Sequence, residues 1–428
     1  MGFSLLPFAG WRYDLSQVGA LADVVTSPSA HGGFPSASDH PYSFAHLTGG
    51  QSEIEPTSEL RGLLTHSVDS FHRWRRQGVL QLEHDAAFYV VENSVTDENG
   101  VHEVWSVTGL TDLTAEAADI RLPRESDSVA ADSIERALQR RTFCQMDHSP
   151  VRLLIEEPAF PDEKDSLRIL LERAVRSLTP VVCVSPGGHT TRVWAVSDRA
   201  LTKSLQDYFF ECTAGLAGGL SLFLAARRQL AEHMELPEQN APACKLLCSV
   251  TSVNEQDLSF QPHFCEVAVS GLAGGDLKSK AEAVPGLQWE DAGSDASAVE
   301  DAVDLSGLSD DQPCLVMVTE DGCCFLLSAP ARCRTLTQLR TLVCEEVIGT
   351  AAHQLVSGSY EGFLQLQRSG KPTPGNVALI SRLSVRGGLQ SQFEQIIRSG
   401  SEQDFLPMQP VPSGLVFWSH RDHETAGD

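Results

Sequence analysis

The spacing of hydrophobic and polar residues changes along the chain between the patterns of helices and of strands. These changes predict helices that alternate with strands. Between residues 58 and 80, apolar side chains recur every three or four positions, which predicts an amphipathic helix that ends near Gly78. The runs AAFYVVENSV and HEVWSVTGLTDL have the β-branched and aromatic content of strands, and the TDENG between them predicts a hairpin. Further hairpins are predicted across PGG at 186–188 and EDG at 320–322.

Helical and strand-like runs alternate over the chain, while several strands pair as hairpins. This combination predicts a mixed α/β, α+β-like fold of mixed sheets, hairpins and packed helices. The segment 290–311 stands apart because it holds eight acids and neither lysine nor arginine. Such blocks are typical of solvated linkers and surface helices. We therefore predict two α/β lobes, 10–289 and 312–420, joined by an acidic linker or surface loop at 290–311.

Charge and composition narrow the classes of partner. The chain of 428 residues has 32 basic and 57 acidic side chains, a net charge of −25. This charge disfavours nucleic acid and anionic membrane surfaces, because both are bound through lysine and arginine. The apolar run 214–226 is thirteen residues long, short of the roughly 20 that span a bilayer. With eleven cysteines and no signal-peptide pattern, the sequence predicts a cytoplasmic protein with reduced thiols.

The stretch FFECTAGLAGGLSLFLAARR at 209–228 raises the question of a phosphate-binding loop. A glycine-rich turn into a helix can bind phosphate through backbone N–H groups. The stretch lacks the Lys-Ser/Thr of a P-loop and does not fit G-x-G-x-x-G. We therefore predict a small-residue helix that packs against a sheet.

Several ordered landmarks connect the chain with a known family. In the order PYSFAHL, VTGLTDL, TTRVWAVSD and LPMQPVPSGLVF, from about Trp11 to about His420, the sequence resembles the bacterial and archaeal family catalogued as domain of unknown function 1015. That family carries a Pro-Pro-Tyr-Asp, a His-Glu-x-Thr, an Ala-Asp-Gly-His-His-Arg and a Lys-Ser-Thr segment. The third segment opens a helix and is similar to motifs of the ParB-like and free-serine-kinase group. The resemblance thus implies nucleotide or phosphate handling in typical members.

This chain departs from the family at each polar signature. The Pro-Pro-Tyr-Asp segment is replaced by SPSA at 27–30, and the His-Glu-x-Thr segment retains only Glu125. The Lys-Ser-Thr segment is missing from 406–415. Histidine moves protons near neutral pH and arginine holds phosphate, whereas alanine, glycine and leucine do neither. The residues aligned with Asp-Gly-His-His-Arg of the third signature are Cys212, Thr213, Ala214, Gly215 and Leu216.

A charged set near the second signature is the best candidate site in the sequence. It is a candidate remnant anion or nucleotide site, and the alternative is a solvated loop followed by a charged helix face. The set consists of Arg124, Glu125, Glu135 and Arg136. His420 and His423 are spaced i, i+3, but a frayed chain end would not frame a metal ion, so no metal site is predicted.

The leading hypothesis is a divergent, catalytically degenerate family member that acts as a binding or regulatory protein, with a protein or small-molecule partner. A first alternative is a nucleotide-dependent, amino-acid-kinase-like enzyme with a site rebuilt around Glu125 and Arg136. A second alternative is an enzyme of another class with a pocket that the sequence does not reveal. The sequence identifies no cofactor, no catalytic residue and no oligomeric state.

Overall fold

The chain forms two compact units. The first contains Met1–Leu258 and Gln409–Asp428, and the second contains Ser259–Met408. The structure is a computed structural model that describes residues 3–25, 40–48, 57–97, 100–114, 120–123, 131–158, 166–185, 189–233, 244–255, 257–258, 263–269, 274–306, 313–333, 336–350, 356–357, 360–381 and 411–420.

The strands and helices alternate along both units. The strands are β1 (Leu5–Leu6), β2 (Trp11–Tyr13), β3 (Leu80–Leu82), β4 (Phe88–Asp97), β5 (Gly100–Asp112), β6 (Ile120–Arg121), β7 (Met146–Asp147), β8 (Val151–Glu156), β9 (Val182–Val184), β10 (His189–Val196), β11 (Thr213–Gly218), β12 (Lys245–Ser252), β13 (His263–Ala268), β14 (Gln288–Gly293), β15 (Cys314–Val318), β16 (Cys324–Ser328), β17 (Val356–Ser357), β18 (Asn376–Ser381) and β19 (Trp418–Ser419).

Helices separate most of these strands. They are α1 (Leu15–Val18), α2 (Thr57–Gln77), α3 (Ala131–Cys144), α4 (Leu167–Val175), α5 (Arg199–Glu211), α6 (Leu220–His233), α7 (Gly274–Ala283), α8 (Ala296–Ser306), α9 (Leu336–Leu342) and α10 (Tyr360–Ser369). Short 3₁₀ turns at Leu21–Asp23 and Phe44–His46 and a π-helix at Val343–Ile348 complete the set in the described ranges.

The first unit is built on a mixed sheet in the order β6-β11-β8-β12-β5-β4-β10-β9, and β1 also pairs with β5. The pairs β8–β12 and β6–β11 are parallel, whereas β4–β5, β5–β12 and β8–β11 are antiparallel. The mixed α/β fold predicted from the sequence is therefore confirmed. The predicted hairpins are also present as β4–β5, β9–β10 and β15–β16.

Helices cover this sheet on both faces, because successive side chains of a strand point to opposite sides. Phe88 and Val90 belong to a core with α4, α5 and α6, whereas Tyr89 and Val91 belong to a core with α2 and Trp418. Fully burying one such side chain stabilises the fold by about 1.5–3 kcal/mol. The two cores fix the positions of the loops at the ends of the central strands.

A buried ion pair lies where the C-terminal segment 411–420 contacts the rest of the first unit. The Arg141 guanidinium donates to the Asp147 carboxylate, and both side chains are fully buried. The backbone N–H of Leu247 donates to Asp147 Oδ2 over 3.1 Å, and His420 Nε2 lies 3.4 Å from Asp147 Oδ1. The sequence-based expectation of a frayed end is thus wrong at His420, which is buried; His423 lies outside the described residues.

The second unit contains a sheet in the order β14-β16-β15-β18-β13-β17, whose pairings are all antiparallel. Leu315 and Met317 of β15 pack in a core with α7 and α9, and Val316 and Val318 pack in a core with α8 and α10. Because these residues alternate along one strand, the two cores lie on opposite faces of the sheet. This unit is therefore a sheet between two layers of helix.

The acidic segment predicted as a linker contains regular elements of the second unit. Its first residues belong to β14, which pairs with β16, and α8 follows it. The division into compact units falls instead between Leu258 and Ser259. Small residues in the acidic segment allow this, because Val299 and Ala302 of α8 are fully buried while the acids Glu300 and Asp301 of the same helix are exposed.

Candidate functional site

The position aligned with the family's third signature is a buried strand. Helix α5 ends at Glu211, Cys212 is extended with φ −86° and ψ 155°, and β11 follows. The prediction of a helix beginning at this position is wrong, since α6 begins only at Leu220. Ala214 and Leu216 are fully buried and Gly215 is buried between β6 and β8.

Close packing explains why a glycine-rich run forms a strand here. A Cβ at Gly218 would lie 2.4 Å from the Arg152 guanidinium, so a larger residue there would require that side chain to move. Gly219 has φ +81°, a left-handed conformation that favours glycine, and the chain turns there from β11 into α6. A strand buried on both faces has a continuous apolar sequence, which periodicity does not distinguish from a buried helix.

The Cys212 thiol is the remaining reactive group at this position, and its surroundings suppress its reactivity. The residue is 2% exposed, and its Sγ–H donates to the Tyr208 carbonyl oxygen over 3.3 Å. Burial raises the pKa of this thiol, and the nearby Glu157 carboxylate raises it further. Cys212 therefore stays protonated at neutral pH, and a protonated thiol is a poor nucleophile.

The remnant anion site predicted from the sequence is described only in part. Arg124 and Glu125 lie outside the described residues. Glu135 lies on α3, where its carboxylate accepts from Arg228 Nη1 over 2.9 Å and from Gln139 Nε2 over 3.1 Å. Arg136 Nε donates to the Asp132 carbonyl oxygen over 3.3 Å. The ion pair of Glu135 is about half exposed, and such pairs stabilise proteins by about 0.2–1 kcal/mol.

Polar side chains that the sequence analysis missed converge at one edge of the central sheet. Because β8 and β12 are parallel neighbours, their carboxyl ends lie together, with Ser252 paired to Ile155. Strand β11 is antiparallel to β8, so its first residue, Thr213, lies beside Glu156 at the same edge. The carboxyl ends of parallel strands are where α/β proteins commonly bind ligands. The family's third signature thus begins at this edge.

Glu157, directly after β8, is a buried carboxylate with three donors. The Ser252 hydroxyl donates to Oε1, the Tyr208 hydroxyl donates to Oε2 over 2.8 Å, and the Leu167 N–H donates to Oε2 over 3.3 Å. Leu167 is the first residue of α4, so the helix N-terminus faces the carboxylate. Burial raises the pKa of Tyr208, so its hydroxyl remains a neutral donor.

Glu255, three residues after β12, is a second buried carboxyl group at this edge. It accepts from the Trp105 backbone N–H over 3.3 Å and lies 3.5 Å from Arg168 Nη1, and its side chain is 2% exposed. Burial raises its pKa to about 7, although the Trp105 hydrogen bond and the Arg168 charge act to lower it. A carboxyl group with this pKa can both give and accept a proton near neutral pH.

Arg168 connects this carboxyl group with the surface. Its Nη2 lies 2.8 Å from Glu103 Oε2, its Nε lies 2.9 Å from Glu172 Oε1, and its side chain is 31% exposed. The guanidinium also lies over the Trp105 ring, 5.8 Å from the ring centroid. We call Glu157, Tyr208, Ser252, Glu255 and Arg168 the strand-end cluster.

The sequence contains a weak signal for this cluster. Glu157 and Glu255 each follow a run that reads as a buried strand, VRLLIE and KLLCSVTS. About 90 residues separate the two runs, and only the parallel pairing of β8 with β12 brings their ends together. Within the described residues, no group of three or more histidine, cysteine, aspartate or glutamate side chains is arranged to hold a metal ion.

Comparison with known proteins places the chain in a family. No curated protein and no solved structure matches it. In the described part of the chain, no helix combines the length and the apolar character needed to cross a membrane. The family described as "Protein of unknown function (DUF1015)" matches residues 5–263, more than half of the chain. The chain therefore belongs to this family, as predicted from the sequence, and three of the four landmarks, PYSFAHL, VTGLTDL and TTRVWAVSD, lie within the matched residues.

Proposed function

We propose that this protein is a binding or regulatory member of the family that lacks phosphate chemistry at the third signature. One observation carries the proposal: the five residues aligned with the polar segment lie at the start of a buried strand. Ala214 and Leu216 offer no proton, charge or phosphate contact, and the Cys212 thiol is buried and protonated. Proton transfer and phosphate binding require groups that meet the substrate.

A ligand panel tests this proposal. Thermal unfolding is measured with ADP, ATP, serine and phosphoserine, and the same mixtures are assayed for phosphoserine formation. We expect no phosphoryl transfer from any nucleotide. A bound ligand raises the melting temperature with its concentration by mass action, so a shift without turnover supports a binding role. Saturable binding of a nucleotide together with phosphoserine formation would refute the proposal.

A second candidate is a nucleotide-dependent enzyme with a rebuilt site, and the strand-end cluster favours it. Glu255 has the pKa of a general acid or base, and Arg168 places a positive charge 3.5 Å from it. Under this hypothesis Glu255 moves the proton, in place of the Glu125 considered from the sequence.

Turnover and its pH dependence distinguish the two candidates. If the protein is an enzyme with a rebuilt site, Glu255→Gln is expected to abolish phosphoryl transfer. The rate of phosphoryl transfer by the wild-type protein is then expected to change with pH near 7. The matched control is Glu232→Gln, because Glu232 is an exposed residue of α6. Turnover that survives in Glu255→Gln would exclude this role for Glu255.

A further inference from the structure

Strand β14 lies at the edge of the second unit's sheet and presents its side chains to solvent. Among the described strands it pairs with β16 alone, so the backbone on its other side faces away from the sheet. Gln288, Glu290 and Asp291 are exposed, and Trp289 is half-buried. An edge of this kind is a template for strand addition by another chain.

The exposed charged side chains of β14, and those described as exposed on the following helix α8, are all acidic. No lysine or arginine occurs between Lys280 and Arg332 in the sequence. Helix α8, which follows the strand, adds the exposed acids Glu300 and Asp301. Lys278 lies over the Trp289 ring at 5.0 Å, so one positive charge neighbours one face of the strand. We call β14 and these exposed acids the acidic edge.

Charge decides which strand can pair with this edge. Two copies of the acidic edge would place like charges opposite each other, which destabilises a strand pair. A basic strand would instead meet Glu290 on one face and Asp291 on the other, since successive side chains alternate. The same carboxylates therefore reject self-pairing and select a basic partner, which is the combination that gives an interface specificity.

We infer that β14 is a docking strand for a short extended basic segment of a partner protein. The segment pairs with the β14 backbone and places lysine or arginine opposite Glu290 and Asp291. The register shift between Asp291 and Gly293 bends β14 and limits regular pairing to the residues before it. The partner segment is therefore short and relies on charge as well as on backbone hydrogen bonds. This edge lies outside the residues matched by the family, and its binding is independent of the strand-end cluster.

A labelled peptide tests the inference with the full-length protein. The probe is acetyl-Thr-Val-Lys-Lys-Val-Thr-amide carrying a fluorophore, and binding is followed by anisotropy at low and high salt. We expect saturable binding that weakens with salt, because ions screen exposed charges. The double variant Glu290→Lys with Asp291→Lys is expected to bind at least tenfold more weakly. The control variant, Glu211→Lys with Glu232→Lys, changes the net charge equally at exposed positions of the first unit and is expected to bind as wild type.

A second peptide separates strand pairing from simple charge attraction. Its alternate backbone nitrogens are methylated, so it keeps the charge but loses the N–H groups that pair with a strand edge. We expect at least a tenfold loss of affinity. Equal binding of the methylated peptide would overturn the docking strand, as would equal binding by the two double variants. Absence of binding by the unmodified peptide would also overturn it. A loss of nucleotide or small-molecule binding in the first unit would leave this inference untouched.

Discussion

The buried Glu255 carboxyl group makes the stability of the first unit depend on pH. Its pKa rises from the ordinary 4.5 to about 7 because burial disfavours the charged form. Each unit of difference corresponds to about 1.4 kcal/mol, so the ionised form costs the folded state about 3 kcal/mol. The substitution Glu255→Gln removes this charge and keeps an oxygen that can accept from the Trp105 N–H.

The sign of the effect follows from proton binding. Between pH 4.5 and 7 the folded state holds a proton at Glu255 that the unfolded state has released, so stability falls as pH rises. The contribution is fully present below pH 4.5 and is lost as pH rises through 7. Glu255→Gln removes this dependence. We expect the variant to match wild type near pH 4.5 and to exceed it by roughly 1–3 kcal/mol at pH 9.

Urea unfolding followed by tryptophan fluorescence measures this difference at pH 4.5, 7 and 9. Urea is uncharged and leaves electrostatic interactions unscreened. Glu232→Gln is the control, because its exposed side chain pairs with Arg228 at the surface. A constant difference between Glu255→Gln and wild type over the whole pH range would refute the reasoning. A variant less stable than wild type at pH 9 would show that the Arg168 attraction outweighs burial.

Three further predictions concern other residues of the first unit. Arg141→Met leaves the buried Asp147 carboxylate without its guanidinium and is expected to destabilise the protein by about 3–5 kcal/mol in urea unfolding; a loss below about 1 kcal/mol would contradict a buried pair. Under native conditions a thiol reagent is expected to label the exposed Cys183 well before the buried Cys212, as mass spectrometry of the labelled peptides can establish; equal rates would contradict the buried strand. Gly219→Ala is expected to lower stability by at least about 1 kcal/mol, because φ is +81° and the new Cβ would lie 2.9 Å from a neighbouring side chain; an unchanged melting temperature would contradict this conformation.

The residues of the strand-end cluster illustrate why a site is harder to predict than a fold. Glu157 and Glu255 are ordinary glutamates in the sequence, with no motif around them. Their burial, the donors of Glu157 and the raised pKa of Glu255 arise only when β8 and β12 lie side by side. Arg124 and Glu125, which do stand in a recognisable family segment, lie outside the described residues, so their role remains a prediction.

Local sequence determined the elements with strong periodicity or turn chemistry. The helix ending near Gly78, the hairpins and the mixed α/β class follow from side-chain spacing and from glycine at the turns, which act over a few residues. The family, too, was visible in ordered landmarks.

Tertiary packing decided what local patterns leave open. TAGLAG became a strand rather than the start of a helix, because small apolar residues fit either element and only the gap between β6 and β8 selects one. The described part of the acidic segment forms β14 and α8 rather than a linker, because alanines and valines are buried there while the acids Glu290, Asp291, Glu300 and Asp301 stay exposed to water. Contacts between residues far apart in sequence make these choices, and no short window of the sequence contains them.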